Sequence, residues 1–215
     1  MIPGIDVSHY QKVIDWPWIK RTGVKFSFCK ATEYPIGVTK LWTDDTLLAN
    51  AQGCKDNGIF FGAYHFYRSH VPADVQANAF WQVIRDLKND LPPVLDVEVT
   101  GEHGSKLATA VQLFCETLKN ASGRTPIIYT SGGFWRGEVQ ITLPAPVYPK
   151  WAFACDYPLW CAQYTNGLLP SFIFPWASWK FWQYSSTGRN FGIGGGAMNV
   201  DLDWFNGTMD ELKSL

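Results

Sequence analysis

The sequence predicts an α/β fold, a closed and irregular (β/α) barrel whose second half has few helices. Three observations carry that reading. Segments rich in β-branched and aromatic residues alternate with segments of helical period as far as Ser131, the pattern of repeated βα units. No GxGxxG follows the first strand, which favours a closed parallel barrel over an open doubly wound sheet. From Gly132 to Pro158 the chain is rich in Gly and Pro without a helical stripe, and strand-like pieces follow with no convincing helices between them, so the barrel is irregular.

The elements follow in order. IPGIDVS reads as the first strand, and Asp15 caps a short helix through WPWIKR that Gly23 ends. KFSFCKAT (Lys25 to Thr32) is the second strand, and DDTLLANAQGCKDNG is a helix closed by Gly58. IFFGAYHFY is the third strand. Pro72 opens a helix whose apolar stripe is Val75, Ala79, Val83, Ile84 and Leu87. PVLDVEV (Pro93 to Val99) is the fourth strand. The next helix carries Leu107, Ala110, Val111, Phe114 and Leu118 on one face, with Ser105 as N-cap and Gly123 as stop. TPIIYTS, PLWCAQY, WKFWQYSS and NVDLDWF complete the strands. GIGGGAMN (Gly192 to Asn199) lacks the GK[ST] ending of a phosphate loop and reads as a turn. A single domain spans 1–215.

Composition bounds the function. The 215 residues carry a formal net charge of −1, with 47% hydrophobic and 17% charged residues. Without a basic patch, neither nucleic acid nor an anionic membrane is an expected partner. The apolar run around Ile59 to Phe66 is too short to span a bilayer, so the chain reads as soluble. Eleven Trp, 9 Tyr and 14 Phe suggest a surface that stacks on flat partners. Five cysteines without a CxxC pair read as reduced thiols, with Cys155 and Cys161 as the one pairing the spacing leaves open. MIPGIDVSHY has no signal-peptide character.

Two acids interrupt the apolar fourth strand. Side chains alternate faces along a strand, so Asp96 and Glu98 point the same way, with their Cα atoms about 7 Å apart. In a barrel, Glu98 then sits at the mouth, at the C-terminal ends of the strands, and Asp96 one layer deeper. GIDVS does the same with Asp6 and Ser8, and NVDLDWF with Asp201 and Asp203. Carboxyls gathered in a poorly solvated pocket cannot all ionise, so one holds a proton while a neighbour stays charged. A proton donor beside a carboxylate is what glycosidic cleavage needs. Sugar rings have apolar faces that pack on aromatic side chains, which suits the composition. The same acids would also fit a divalent metal site of a barrel phosphodiesterase. His9, His65, His70 and His103 show no metal-ligand spacing, and the cysteines no structural-zinc pattern; no metal and no cofactor is expected.

GIDVSHYQ, FCKATE, GAYHFY, PVLDVEV, IIYTS, PLWCAQY, WQYSS and NVDLDWF occur in the order and at about the intervals of the glycoside hydrolase family 25 lysozymes, the Chalaropsis-type muramidases. The resemblance covers essentially the whole chain. It implies a TIM-like barrel of about eight strands and a retaining N-acetylmuramidase that hydrolyses the β-1,4 bonds between N-acetylmuramic acid and N-acetylglucosamine in bacterial peptidoglycan. By motif it makes Glu98 the general acid and base. Asp96 would stabilise a substrate 2-acetamido group acting as internal nucleophile, and Asp6 and Asp201 would complete the acidic cluster. Direct covalent attack by Asp96 stays open, as does a non-catalytic wall-sugar-binding module.

Residues matching the family's groove are Lys30, Glu33, Tyr64, Phe66, Tyr129, Trp160, Gln163, Trp182, Tyr184 and Asp203. Tyr34 stands after KATE where the family commonly has Gly, and is expected to reshape the groove there. The implied setting is the cell wall, reached by secretion or, as for a phage endolysin, from the host cytoplasm through a holin. A monomer is expected. The near-neutral charge makes a separate wall-binding module beyond Leu215 a reasonable companion.

Overall fold

A computed structural model describes residues 1–99, 101–140, 150–165, 167–189 and 199–215. The strands are β1 (Ile2–Val7), β2 (Phe26–Glu33), β3 (Trp42–Thr43), β4 (Phe60–Phe66), β5 (Val94–Asp96), β6 (Ile127–Ser131), β7 (Leu159–Ala162), β8 (Phe181–Gly188) and β9 (Val200–Phe205). Pairing runs from β1 through β2, β4, β5, β6, β7, β8 and β9 and returns to β1, closing an eight-stranded barrel. The short β3 pairs antiparallel with the outer end of β2.

The expected all-parallel closure holds for seven strands and fails for β9, which runs antiparallel to both β8 and β1. Its reversal puts the start of β9 at the mouth, and so Asp201 lies directly across from Asp6, while Asp203 lies one layer deeper across from Gly4.

The helices are α1 (Trp16–Arg21), α2 (Leu47–Asp56), α3 (Ala73–Ile84), α4 (Gly104–Ser122), α5 (Gly132–Phe134) and α6 (Met209–Lys213). The longer helices thus cover the first half, whereas short pieces lie between β6 and β7 among the described residues: α5, a π-helical turn (Trp135–Val139) and a 3-10 turn (Ala152–Asp156). Asp15 caps α1 by accepting from the Trp18 amide, and Gly123 closes α4 in the left-handed conformation, φ 71°.

Other helix details differ from expectation. The buried face of α3 is Ala73, Gln76, Ala77, Phe80 and Ile84, whereas Val75 is exposed. The buried residue is Gln76 because its amide bonds the His65 ring and the carbonyls of Arg68 and Val71. A polar residue satisfied this way can be buried without an apolar signature. His103, not Ser105, is the N-cap of α4, and Ser105 lies inside its first turn. α2 starts at Leu47 with Thr46 as N-cap; ahead of it, one Asp44 oxygen bonds the backbone and ring of His9 and the other accepts from the Thr46 amide and hydroxyl.

Two apolar layers result. Leu95 and Val97 from the barrel wall, with Phe80 of α3 and Phe114 of α4, belong to the outer layer between barrel and helices. The barrel interior is filled by Phe26, Phe28, Val94, Ile127, Trp160, Phe181 and Phe205. These rings fit because Gly4 and Gly62 face inward opposite them: a Cβ at Gly4 would lie 2.2 Å from the Phe26 ring, and one at Gly62 2.6 Å from Phe28. Phe28 stacks on Trp160 at 4.5 Å, which makes an aromatic floor below the mouth. Of the glycine-rich turn only Asn199 is described, and residues 141–149 of the second-half linker also lie outside the described residues.

Candidate active site

A cavity of ≈ 230 Å³ opens at the C-terminal ends of the parallel strands. It is lined by Asp6, Val7, Ser8, Tyr10, Gln11, Lys30, Tyr64, Phe66, Asp96, Glu98, Tyr129, Trp160, Tyr164, Gln183 and Asp201. The four acids expected to converge therefore do so, although they come from three strands far apart in sequence.

Asp96 is the last residue of β5, buried, with one carboxyl oxygen that no hydrogen-bond donor reaches. Burial, followed by the charge of Glu98, holds its pKa well above the usual carboxylate range, while Lys30 and Arg68 oppose the rise. Glu98 lies two residues beyond the strand, exposed to the open cavity. Its pKa is also raised: desolvation by the surrounding walls comes first, opposed by Lys30, by a hydrogen bond with Tyr129, and by Arg68. The two carboxyls thus sit in different environments, one enclosed and one facing solvent. Asp201 is pushed up to about 6, by burial and then by Glu98.

One cation serves this cluster from inside. The Lys30 ammonium is buried, donates to Glu33 at 2.8 Å and lies 4.7 Å from the Phe66 ring centroid. Arg68 reaches the same Glu33 oxygen at 3.7 Å and stacks over Phe66 at 4.5 Å. Glu33 does not line the cavity; it holds the lysine that does.

A polar network joins the opposite wall. The Gln183 amide donates to Asp6 at 2.7 Å, and its carbonyl oxygen accepts from the hydroxyls of Tyr129 and Tyr164, each at 2.9 Å. Ser8 and Gln11 cap each other at the end of β1, and Gln11 donates to the Asn199 carbonyl at 3.3 Å.

Five expected groove residues are placed elsewhere. Glu33 sits behind Lys30, as described. Asp203 is fully buried beneath the cavity, where it accepts from the Trp160 indole at 2.9 Å. On β8 the interior positions are Phe181 and Gln183, so alternation sends Trp182 and Tyr184 outward. There the Trp182 indole donates to the Gln163 carbonyl and Tyr184 stacks on Trp204. The side chain of Gln163 is tied to Ser171, away from the cavity.

Tyr34 does not line the cavity either; its ring is buried, edge-on to His65. Tyr10, Gln11, Tyr164 and Gln183 were absent from the expected set. Gln183 lies between Trp182 and Tyr184 in FWQY, and the local pattern does not mark which of the three faces inward. All five cysteines are free, Cys155 exposed and Cys161 buried in β7. Among the described residues no three His, Cys, Asp or Glu side chains group as a metal site, and no helix is long and apolar enough to cross a membrane.

A mostly parallel barrel that gathers carboxyls of unequal burial at its mouth, over an aromatic floor, has the makings of a glycoside hydrolase. The family model of the glycosyl hydrolases family 25 matches residues 5–193. Lysozyme M1 of Streptomyces globisporus is 32% identical, over 100% of this chain and 71% of its own length. The uncharacterized protein YegX of Escherichia coli K12 is 33% identical, over 99% of this chain and 72% of its own. The crystal structure of a bacterial lysozyme from Streptomyces coelicolor superposes with a TM-score of 0.81 at 31% identity, covering 100% of this chain and 96% of that one. The chain belongs to glycosyl hydrolases family 25.

Proposed function

We propose that this enzyme is a lysozyme that cleaves the β-1,4 bond between N-acetylmuramic acid and N-acetylglucosamine in bacterial peptidoglycan, with retention of anomeric configuration. The observation that carries this reading is the pair formed by Asp96 and Glu98: adjacent carboxyls on one strand end, one enclosed with a bare oxygen, one at the open mouth. The lysozyme relatives support the substrate class.

Glu98 is the general acid. Its raised pKa keeps a proton available for the leaving oxygen, and the nearby Lys30 and Arg68 favour its ionised form once that proton has gone, so that it can then act as base. Asp96 orients and stabilises the substrate 2-acetamido group as internal nucleophile; the unpartnered oxygen is available to accept the acetamido N–H. Asp6 and Asp201 hold the sugar from the β1 and β9 side. Tyr64, Phe66, Tyr129 and Trp160 wall and floor the site, and Lys30 keeps the acid cluster from becoming wholly neutral. The enzyme acts as a monomer on the wall, after secretion or holin release.

Mass spectrometry of products from defined peptidoglycan tests the bond. Muramic acid at the new reducing end is expected, and glucosamine there would contradict the assignment. Trapping of a glycosyl adduct on Asp96 would instead establish direct covalent attack.

A further inference from the structure

Most of the aromatic surface around the cavity is covered. Tyr129 and Trp160 are buried and Tyr64 and Phe66 half-buried, so little of their faces is open to a sugar ring. The exposed aromatic residues of the lining are Tyr10 and Tyr164, at 67% and 57%. Tyr10 lies against the His9 ring, with centroids 4.1 Å apart. The Tyr164 ring meets no other aromatic ring among the described residues.

An exposed side chain ordinarily samples several rotamers, but Tyr164 is held at both ends. At its base, the preceding residue Gln163 is fixed in three ways. The Gln163 backbone N–H donates to the Gln183 carbonyl at 3.0 Å, and its carbonyl accepts from the Trp182 indole at 2.8 Å. Its side-chain amide exchanges hydrogen bonds with Ser171 at 2.9 and 3.1 Å. At the tip, the Tyr164 hydroxyl donates to the side-chain oxygen of Gln183 at 2.9 Å. Gln183 is buried and pinned in turn, since that oxygen also accepts from Tyr129 at 2.9 Å and its amide donates to Asp6 at 2.7 Å. One amide thus ties an open ring to an acid of the catalytic cluster.

We propose that Tyr164 is a substrate-binding residue, a fixed platform on which a saccharide ring of the glycan strand packs its apolar C–H face, and that Gln183 is the positioning residue that sets this platform relative to the acids. An open phenol ring removes apolar surface from water only when a ligand covers it. A ring already held in its bound position loses little conformational entropy on being covered, so more of that burial appears as affinity. The negative face of its π system also suits the C–H groups of a sugar. The bonds of Gln163 to Ser171 acquire a purpose in this arrangement: the side chain turns from the cavity and braces the platform from behind.

The substrate rests on the lysozyme reading, and the experiment separates the two. The full chain, carrying Glu98→Gln to prevent cutting, is titrated calorimetrically with a peptide-free tetrasaccharide of alternating N-acetylglucosamine and N-acetylmuramic acid. Adding Tyr164→Ala is expected to raise the dissociation constant about tenfold. In the otherwise wild-type enzyme, Tyr164→Ala raises KM on peptidoglycan by a similar factor with kcat little changed. Lost binding produces that split, whereas a disturbed acid would lower kcat.

Tyr164→Phe keeps the ring and loses the tether, and it is expected to weaken fragment binding about threefold. Gln183→Leu should then weaken binding less in the Tyr164→Phe background than alone, because part of its effect passes through that phenol. Equal effects in the two backgrounds would overturn the positioning role. Unchanged fragment affinity in Tyr164→Ala, or a Tyr164→Ala enzyme that loses kcat at unchanged KM, would overturn the platform. Failure of wild type to release reducing ends from peptidoglycan would count against the lysozyme reading. The titration then still decides the platform: the loss of affinity in Tyr164→Ala upholds it, and absence of fragment binding overturns it.

Discussion

Asp96 and Glu98 are two residues apart and chemically unlike because the barrel ends between them. Asp96 is enclosed by neighbouring strands, whereas Glu98 has passed the rim. Lys30, followed by Arg68, acts on both, and its charge favours the ionised form of each. Lys30→Met should therefore raise both carboxyl pKa values, and with them the acid limb of the kcat/KM profile. Activity would be lost first at the acid end, and a profile of unchanged shape would show that Lys30 does not tune the pair. Period-two alternation made Asp96 and Glu98 legible in PVLDVEV without any structure. The family resemblance placed Trp182 and Tyr184 in the groove, and neither lines the cavity; an aromatic in a strand carries no mark of which face it takes. Gln183, the residue between them, joins the site only through bonds to Asp6, Tyr129 and Tyr164, side chains from β1, β6 and the segment after β7 that no local pattern brings together.

At the scale of elements, the strands act as a frame whose interior spacing is set by glycines. Gly4→Ala places a Cβ 2.2 Å from the Phe26 ring. Overpacking of that kind costs about 1–3 kcal/mol, read as a lower urea midpoint at unchanged slope; an unaltered midpoint would show that the floor can give way. His65 joins β4 to α3 through Gln76 and to β2 through Thr32, and burial lowers its pKa from 6.5 to about 4. The unfolded chain then binds a proton that the folded chain refuses. The His65 contribution is fully present above pH 6.5 and is lost as pH falls towards 4, on the order of 3 kcal/mol in all. Ring nitrogen NMR should find His65 neutral at about pH 5, and a protonated ring there would contradict this. The α3 stripe was misread from sequence for the same reason that His65 is held: Gln76 is polar, buried and fully bonded. The reversal of β9 was hidden because NVDLDWF looks the same in either direction.

For the whole molecule, the acidic mouth is a cost to folding that the apolar frame carries. Asp201 has an unfolded value of 3.8 and a folded value of about 6. A raised carboxyl contributes stability at low pH and loses it as pH rises through the folded value. Asp201→Asn should accordingly be more stable than wild type above pH 6, by about 2 kcal/mol after partial screening, and nearly equal to it at pH 4. Equal gains at both pH values would mean that charge is not the cause. The barrel class and the helix-poor second half followed from strand and helix rhythm, since local periodicity records burial. Closure and the meeting of the acidic strand ends at the mouth are long-range; the alternation of strands and of side-chain faces suggested both, and the motif resemblance named the residues.

The central claim is that Glu98 supplies the proton for glycosidic cleavage. The most direct measurement is the rate of peptidoglycan hydrolysis by Glu98→Gln, an isosteric change at an exposed site that leaves the core untouched. The account predicts a folded protein no less stable than wild type, with kcat reduced by about 10²–10⁴-fold. A folded Glu98→Gln enzyme that retains most of its activity would contradict it.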